Sequence, residues 1–192
     1  MNKLAQRDLF GTPVLPEGMH YFEEFLSESD EIGLLDVIAT LPFDHSRYRQ
    51  YTAKRRTVSY GFSYDFTDRA LRPAEHIPEF LHPLRQRVAT QAQLDAEQFV
   101  QALVTEYEPG TALGWHRDVP QFETVVGLSL ANPCRMRMRP YPPRANKRDG
   151  VIALALQPRS MYILRDAARW AWQHSIPPTK ALRYSITFRT LR

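Results

Sequence analysis

The sequence predicts an α+β fold in which two helices precede a set of short strands stacked as a two-sheet jelly roll. Apolar residues recur at helical spacing twice before residue 95. After residue 98 the texture changes to short apolar and β-branched runs separated by Pro and Gly. Fifteen prolines against eight glycines, spread without repeat, charge block or linker, divide the chain into many short elements with stiff turns. At 192 residues and 43% hydrophobic, the chain can bury one substantial core, so a single domain is expected over 1–192.

The first helix is expected near 29–41, where Ser29-Asp30-Glu31 precedes Ile32, Leu34, Leu35, Ile38 and Leu41. The second follows Pro78 and carries Phe80, Leu81, Leu84, Val88 and Ala92, ending about Leu94. Strands are expected at Phe99–Tyr107, Val125–Leu130, Arg135–Arg139, Ile152–Leu156, Ser160–Leu164 and Arg183–Arg189. Six or more short strands in a domain of this size close or stack, leaving a mouth for a ligand.

The formal charge is +4, and all but Lys3, Lys54, Lys147 and Lys180 of the 25 basic residues are arginines. Arginine favours planar, bidentate contact with phosphate or carboxylate; solvated surface pairing with the 21 acidic residues is the other use of that charge. The lone Cys134 excludes an intrachain disulfide and suits a reducing compartment. The start, Met1 to Asp8, lacks the apolar core of a signal peptide, and no stretch approaches the ~20 apolar residues of a membrane span. A cytoplasmic protein with no membrane partner, acting as a monomer, is expected.

His116 and Asp118 stand two positions apart, so on an extended strand both point to one side and can serve a single metal. His174 is the best third ligand, and two His plus one carboxylate with open positions is a non-haem Fe(II) arrangement. The last strand places Arg183, Ser185, Thr187 and Arg189 on one face and Tyr184, Ile186 and Phe188 on the other. That polar face is either a water-facing surface or an anion cradle. Its two guanidiniums, roughly 20 Å apart by strand geometry, can bracket a dicarboxylate if the strand twists.

Together these residues resemble the AlkB family of Fe(II)- and 2-oxoglutarate-dependent dioxygenases. The likeness covers most of the chain: Asp8-Leu9-Phe10, Ser59-Tyr60-Gly61-Phe62, Tyr107-x-Pro109-Gly110, His116-Arg117-Asp118 and His174-Ser175-Ile176-x-Pro178. The closing Arg183-Tyr184-Ser185-Ile186-Thr187-Phe188-Arg189 is the most specific piece. The resemblance implies a double-stranded β-helix over 98–192, with N-terminal helices packed on one sheet and 1–97 forming an extension and substrate lid. It implies that His116, Asp118 and His174 bind Fe(II). Arg183 would pair with the distal carboxylate of 2-oxoglutarate, helped by Tyr107 and Ser185. Arg189 would lie nearer the carboxylate and keto group that chelate the metal. Thr105 stands where relatives often have Asn. With O2 as co-substrate, the expected chemistry is decarboxylation of 2-oxoglutarate to succinate and CO2, coupled to hydroxylation of a C–H bond.

In the repair members of that family the hydroxylated carbon is an N-methyl group on a base of DNA or RNA, lost as formaldehyde. The base must leave its stack to react. Phe62 falls where the family places an aromatic against the base, or else it belongs to the core; Tyr60, Tyr64 and Phe66 are supporting candidates. Arg55 and Arg56, after Lys54, and Arg137, between Arg135 and Arg139, form basic clusters suited to a single-stranded nucleic acid, or simply to solvent; Arg144, Lys147 and Arg148 extend the second. One departure matters. Relatives acting on 1-methyladenine and 3-methylcytosine usually carry an acid two positions after the metal-binding Asp, and this chain has Pro120, leaving Glu123 as the nearest substitute. The alternatives are hydroxylation or demethylation of a protein side chain or a modified tRNA base, and, in another class, a non-catalytic nucleic-acid-binding module.

Overall fold

A computed structural model describes residues 14–48, 51–65, 67–146 and 150–192. Asp8-Leu9-Phe10, Phe66, Lys147 and Arg148 therefore lie outside the described residues. The elements, in chain order, are β1 (Met19–Phe22), α1 (Glu28–Ile38), β2 (Asp44–Tyr48), β3 (Tyr51–Tyr60), β4 (Phe62–Asp65), β5 (Ala70–Pro73), α2 (His82–Ala92), β6 (Phe99–Tyr107), β7 (Leu113–His116), β8 (Phe122–Leu130), β9 (Cys134–Pro140), β10 (Ile152–Leu156), β11 (Met161–Leu164), α3 (Asp166–Trp170), β12 (Trp172–Ile176) and β13 (Arg183–Leu191).

Two antiparallel sheets face each other. The larger has the order β1-β11-β8-β13-β6-β3-β2 and the smaller β10-β9-β12-β7, while β4 and β5 pair alone as a hairpin. The architecture is the expected α+β double-stranded β-helix. It differs from the predicted order in one respect: strands are not confined to the second half, since β1 and β3 pair with β11 and β6 of the larger sheet. The segment Lys54 to Ser59 is rich in Lys, Arg, Thr and Ser, which hid a ten-residue strand from an apolar-run search.

Helix α1 starts one residue before the expected position because Ser27 is its N-cap. Its hydroxyl accepts the Asp30 N–H at 3.1 Å and the Asp30 carboxylate accepts the Ser27 N–H at 3.1 Å, a reciprocal capping box. Helix α2 carries Pro83 in its first turn and ends at Gln93, whose φ of 58° reverses the chain. Both helices pack on the outer face of the larger sheet. Ile38, Leu81, Leu84, Val88, Ala89 and Ala92 share a core with Val104, Val126, Leu128, Ile186 and Phe188. A second core, with Met136, Met138, Leu154, Leu156 and Val125, fills one end of the space between the sheets. Cys134 sits half-buried against it, and burial raises its thiol pKa.

Side-chain alternation then decides what faces the inter-sheet space. On β13 the row Tyr184, Ile186, Phe188 faces the helices, so Arg183, Ser185, Thr187 and Arg189 point between the sheets. Register aligns them with Tyr107, Thr105, Leu103 and Gln101 of β6, and aligns Ser185 and Thr187 with Ser129 and Gly127 of β8. The polar face of the last strand is thus interior: Arg183 is 1% exposed and Thr187 7% exposed. Among the described residues, no helix is long and apolar enough to cross a membrane.

Candidate metal and co-substrate centre

His116 ends β7 and lies directly opposite His174 of β12 in the ladder, with ring centroids 4.2 Å apart. Asp118 follows two residues later, and one ligand atom from each of the three falls within 4.8 Å of the others. Nδ1 of His116 donates to the Gly114 carbonyl at 2.9 Å, which leaves Nε2 as the lone-pair donor for a metal. Burial depresses the pKa of His116 and pushes that of His174 down to about 3, keeping both imidazoles neutral. For Asp118 burial works toward protonation. The Arg189 guanidinium, with Arg169 behind it, outweighs it and holds the carboxyl well below the usual range. Two neutral imidazoles and one carboxylate form a donor set that fits a divalent ion with open positions.

Arg189 is the anchor of that carboxylate. Its Nε and Nη2 donate to Asp118 Oδ1 at 3.0 and 2.8 Å, and its Nη1 donates to Gln101 Oε1 at 2.9 Å. The Gln101 amide in turn donates to the Phe62 carbonyl at 2.7 Å. A chain of hydrogen bonds therefore runs from β13 through β6 to the start of β4. Sequence reasoning placed Arg189 by the co-substrate and did not foresee Gln101, whose position opposite Arg189 emerges only from the register.

A cavity of about 80 Å³ adjoins the three ligands and is lined by all five residues expected to hold the co-substrate: Arg183, Arg189, Tyr107, Ser185 and Thr105. Arg183 lies 4.7 Å from the Tyr107 ring centre and donates through Nη2 to Ser129 Oγ at 3.1 Å. Its Nε and Nη1 are buried with no hydrogen-bond partner among the described residues. A buried guanidinium with two unsatisfied donors is costly unless an anion meets them, and a carboxylate does so bidentately. The residues present therefore fit 2-oxoglutarate. Tyr162, unanticipated in sequence, forms another wall, with its phenol kept protonated by burial. Its ring crosses Gly127 so closely that a Cβ there would come within 2.3 Å of Cζ.

A larger, open cavity of about 370 Å³ lies beside the same triad, lined by Arg55, Thr57, Ser59, Ser63, Tyr64, Arg117, Val119 and Phe122 among others. Here the structure corrects several expectations for substrate residues. Tyr60 is 5% exposed within the helix-facing core, because it shares the outward parity of Val58 on β3. Phe62 is absent from the cavity wall, which Tyr64 lines instead; the backbone carbonyl of Phe62 is what connects it to the site. Arg55 points inward with Thr57, whereas Arg56 turns outward, binds Glu106 at 2.6 Å and lies over Phe43. Arg137 stands on the outer face of the smaller sheet, donating to Ser175 Oγ at 3.1 Å and lying 5.1 Å from the Trp115 ring centre. Glu123 is engaged by the Trp170 indole N–H at 2.8 Å, so it does not replace the acid missing at Pro120.

Comparison with known proteins agrees with this geometry. A family model described as the 2OG-Fe(II) oxygenase superfamily matches residues 18–189. The alkylated DNA repair protein ALKBH8 homolog of Arabidopsis thaliana is 30% identical over 184 residues, 85% of this chain and 51% of that protein. The tRNA (carboxymethyluridine(34)-5-O)-methyltransferase alkbh8 of Xenopus tropicalis is 26% identical over 175 residues, 88% of this chain and 26% of that protein. This chain thus spans about half the length of the first relative and about a quarter of the second. The solved structure of OsALKBH1 superposes with a TM-score of 0.69 at 18% identity, covering 92% of this chain and 98% of that one, which establishes the fold. Fe(II), 2-oxoglutarate and O2 are the cofactors and co-substrates that this family implies, and the chain belongs to the 2OG-Fe(II) oxygenase superfamily as an AlkB-like member.

Proposed function

We propose that this chain is a dioxygenase that demethylates N-alkylated bases in single-stranded DNA or RNA, releasing formaldehyde, succinate and CO2. The observation that carries the oxygenase reading is the buried Arg183, with two unpartnered donors in a cavity that adjoins His116, Asp118 and His174. In this reading His116, Asp118 and His174 hold Fe(II), and Arg183 grips the distal carboxylate beside Tyr107, Ser185 and Thr105. Bound iron, O2 and 2-oxoglutarate together supply the oxidant that places one oxygen atom on the substrate C–H bond and the other in succinate. The protein's own residues do the positioning. Gly114 fixes the His116 tautomer, Arg189 orients Asp118, and the neutral imidazoles need lose no proton to bind metal. No side chain is needed as acid or base, since the N-hydroxymethyl product breaks down to formaldehyde and free base.

The nucleic-acid half rests on the open cavity, where the Arg55 and Arg117 cations and the Tyr64 ring surround a space next to His116. Residues 1–97 act as extension and lid, with β3 supplying Arg55, Thr57 and Ser59 and the β4–β5 hairpin supplying Ser63 and Tyr64. Action as a monomer in the cytoplasm completes the reading. A modified tRNA base is the second reading, favoured by Pro120 standing where an acid would meet an exocyclic amine and by the tRNA-modifying relative.

The test is mass spectrometry of single-stranded oligonucleotides carrying N-methylated bases, incubated with protein, Fe(II), 2-oxoglutarate and ascorbate. The expected result is loss of the methyl mass with equimolar succinate and formaldehyde. Succinate without oligonucleotide change moves the substrate to a modified tRNA or a protein. No succinate from protein that demonstrably holds iron would leave only a non-catalytic binding module.

A further inference from the structure

Beside the iron cavity, walled in part by the β4–β5 hairpin through Tyr64 and Arg69, runs a second groove of about 410 Å³. Arg69, Arg117, Arg169, Tyr64, Tyr141 and Trp170 line it, and Tyr64, Arg117, Asp118 and Val119 line both spaces, so the groove opens directly beside the metal site. We propose that it seats the nucleotide flanking the target base in a single-stranded nucleic acid, with the base on Tyr141 and the phosphate toward Arg69 and Arg117. The proposal rests on the nucleic-acid reading of the iron site and adds a place for the neighbouring nucleotide.

Three features support it. The first is a prepared aromatic face. Tyr141 is among the few exposed large hydrophobic side chains of the described residues, at 44% exposure. Its backbone N–H is tied to the Ala171 carbonyl at 2.8 Å, and the Arg117 guanidinium covers one side of its ring at 3.8 Å. A base added to the other side would extend an existing stack on a fixed backbone. Such stacking tolerates any base, because every base has a π-face.

The second is the arrangement of charge. Among the described residues that line the groove Asp118 is the one acid, and Arg189 already occupies its Oδ1. Arg169 underlies the groove at 2% exposure. Its Nη2 donates to the Val119 and Phe122 carbonyls, both at 2.7 Å, while Nε and Nη1 have no hydrogen-bond partner among the described residues. A buried cation without a carboxylate of its own adds to the field of Arg69 and Arg117, and a concave surface focuses that field on an anion. The third is continuity: a ligand crossing the rim at Val119 places one group by the metal and the next in the groove, as a strand with one extruded base does.

The test is fluorescence anisotropy of labelled single-stranded ribo- and deoxyribo-pentanucleotides, with Mn(II) replacing Fe(II) and 2-oxoglutarate present. Tyr141→Ala should weaken pentanucleotide binding by about tenfold, the size expected for one lost stack. Tyr141→Phe should stay within about twofold of wild type, and Arg69→Ala should lower the slope of log affinity against log salt by about 0.7. Binding of a mononucleotide and slow turnover of 2-oxoglutarate without nucleic acid should be unchanged in all three variants. The tighter of the two pentanucleotides identifies the strand. Equal pentanucleotide affinity in Tyr141→Ala and wild type would overturn the groove assignment alone. Wild-type protein that makes succinate yet binds neither pentanucleotide would overturn the nucleic-acid reading, and the groove with it.

Discussion

Arg183 and Gly127 show how single residues shape the cavity proposed for the co-substrate. Arg183 is buried with donors to spare, and Gly127 exists as glycine because the Tyr162 ring lies against its Cα. Gly127→Ala should push Tyr162 into the cavity of about 80 Å³ and raise the 2-oxoglutarate concentration for half-maximal turnover by at least about tenfold. Titration of succinate formation against 2-oxoglutarate checks this, and an unchanged half-saturation would remove Tyr162 from the cavity wall. At this scale the chemistry-bearing side chains were legible. His116-x-Asp118 and the alternating Arg183 to Arg189 stand out by spacing, while His174 and the roles of all of them follow from the family resemblance; all line one cavity. Side-chain parity on the poorly marked strands was not legible. Arg55 and Arg56 look equivalent in sequence, as do Tyr60, Phe62 and Tyr64. Which of them faces the site depends on the pairing of Thr57 with Thr105 and on the turn at Gly61, where φ is 75° and the Val100 carbonyl leaves no room for a Cβ.

Among the elements, α1 and α3 carry the clearest consequences. The Ser27–Asp30 capping box fixes the start of α1, and Ser27→Ala should cost about 1 kcal/mol in chemical denaturation. Arg87, followed by the Ser27 groups, lowers the Asp30 pKa from 3.8 to about 2. A carboxyl depressed in the folded state stabilises fully above its unfolded pKa and loses that contribution on protonation. Wild-type protein should therefore lose stability relative to Asp30→Asn as pH falls from about 4 to about 2, while the difference stays flat at higher pH. The five-residue α3 acts as a strut for the metal loop. Arg169 holds the Val119 and Phe122 carbonyls, Arg117 Nη1 reaches back to the Trp170 carbonyl at 2.7 Å, and the Trp170 indole holds Glu123. Arg169→Ala should cost about 2 kcal/mol and also weaken Mn(II) binding, measured by titration calorimetry. Val88→Ala, in the helix-side core, should lower stability while leaving metal affinity alone; equal metal affinity in both variants would make Arg169 merely structural. The two longer helices and the apolar strands were legible because their periodicity is uninterrupted. The strands bearing the histidines, Leu113–His116 and Trp172–Ile176, are short and compositionally mixed, and they form because each completes the other's ladder.

For the whole molecule, the two sheets place a candidate metal triad, a buried arginine and two open cavities around one inter-sheet space. Neither sheet suffices, because His116 and His174 come from the smaller and Arg183 and Arg189 from the larger. In the proposed reading, metal and dicarboxylate bind as a unit across that space. Calorimetric titration of 2-oxoglutarate into Mn(II)-loaded protein, in wild type, Asp118→Ala and Arg183→Met, tests it most directly. One equivalent should bind in wild type, with no metal-dependent binding in Asp118→Ala and affinity weakened about tenfold or more in Arg183→Met, the size of a lost charge-assisted pair. Wild-type affinity retained in both variants would contradict it.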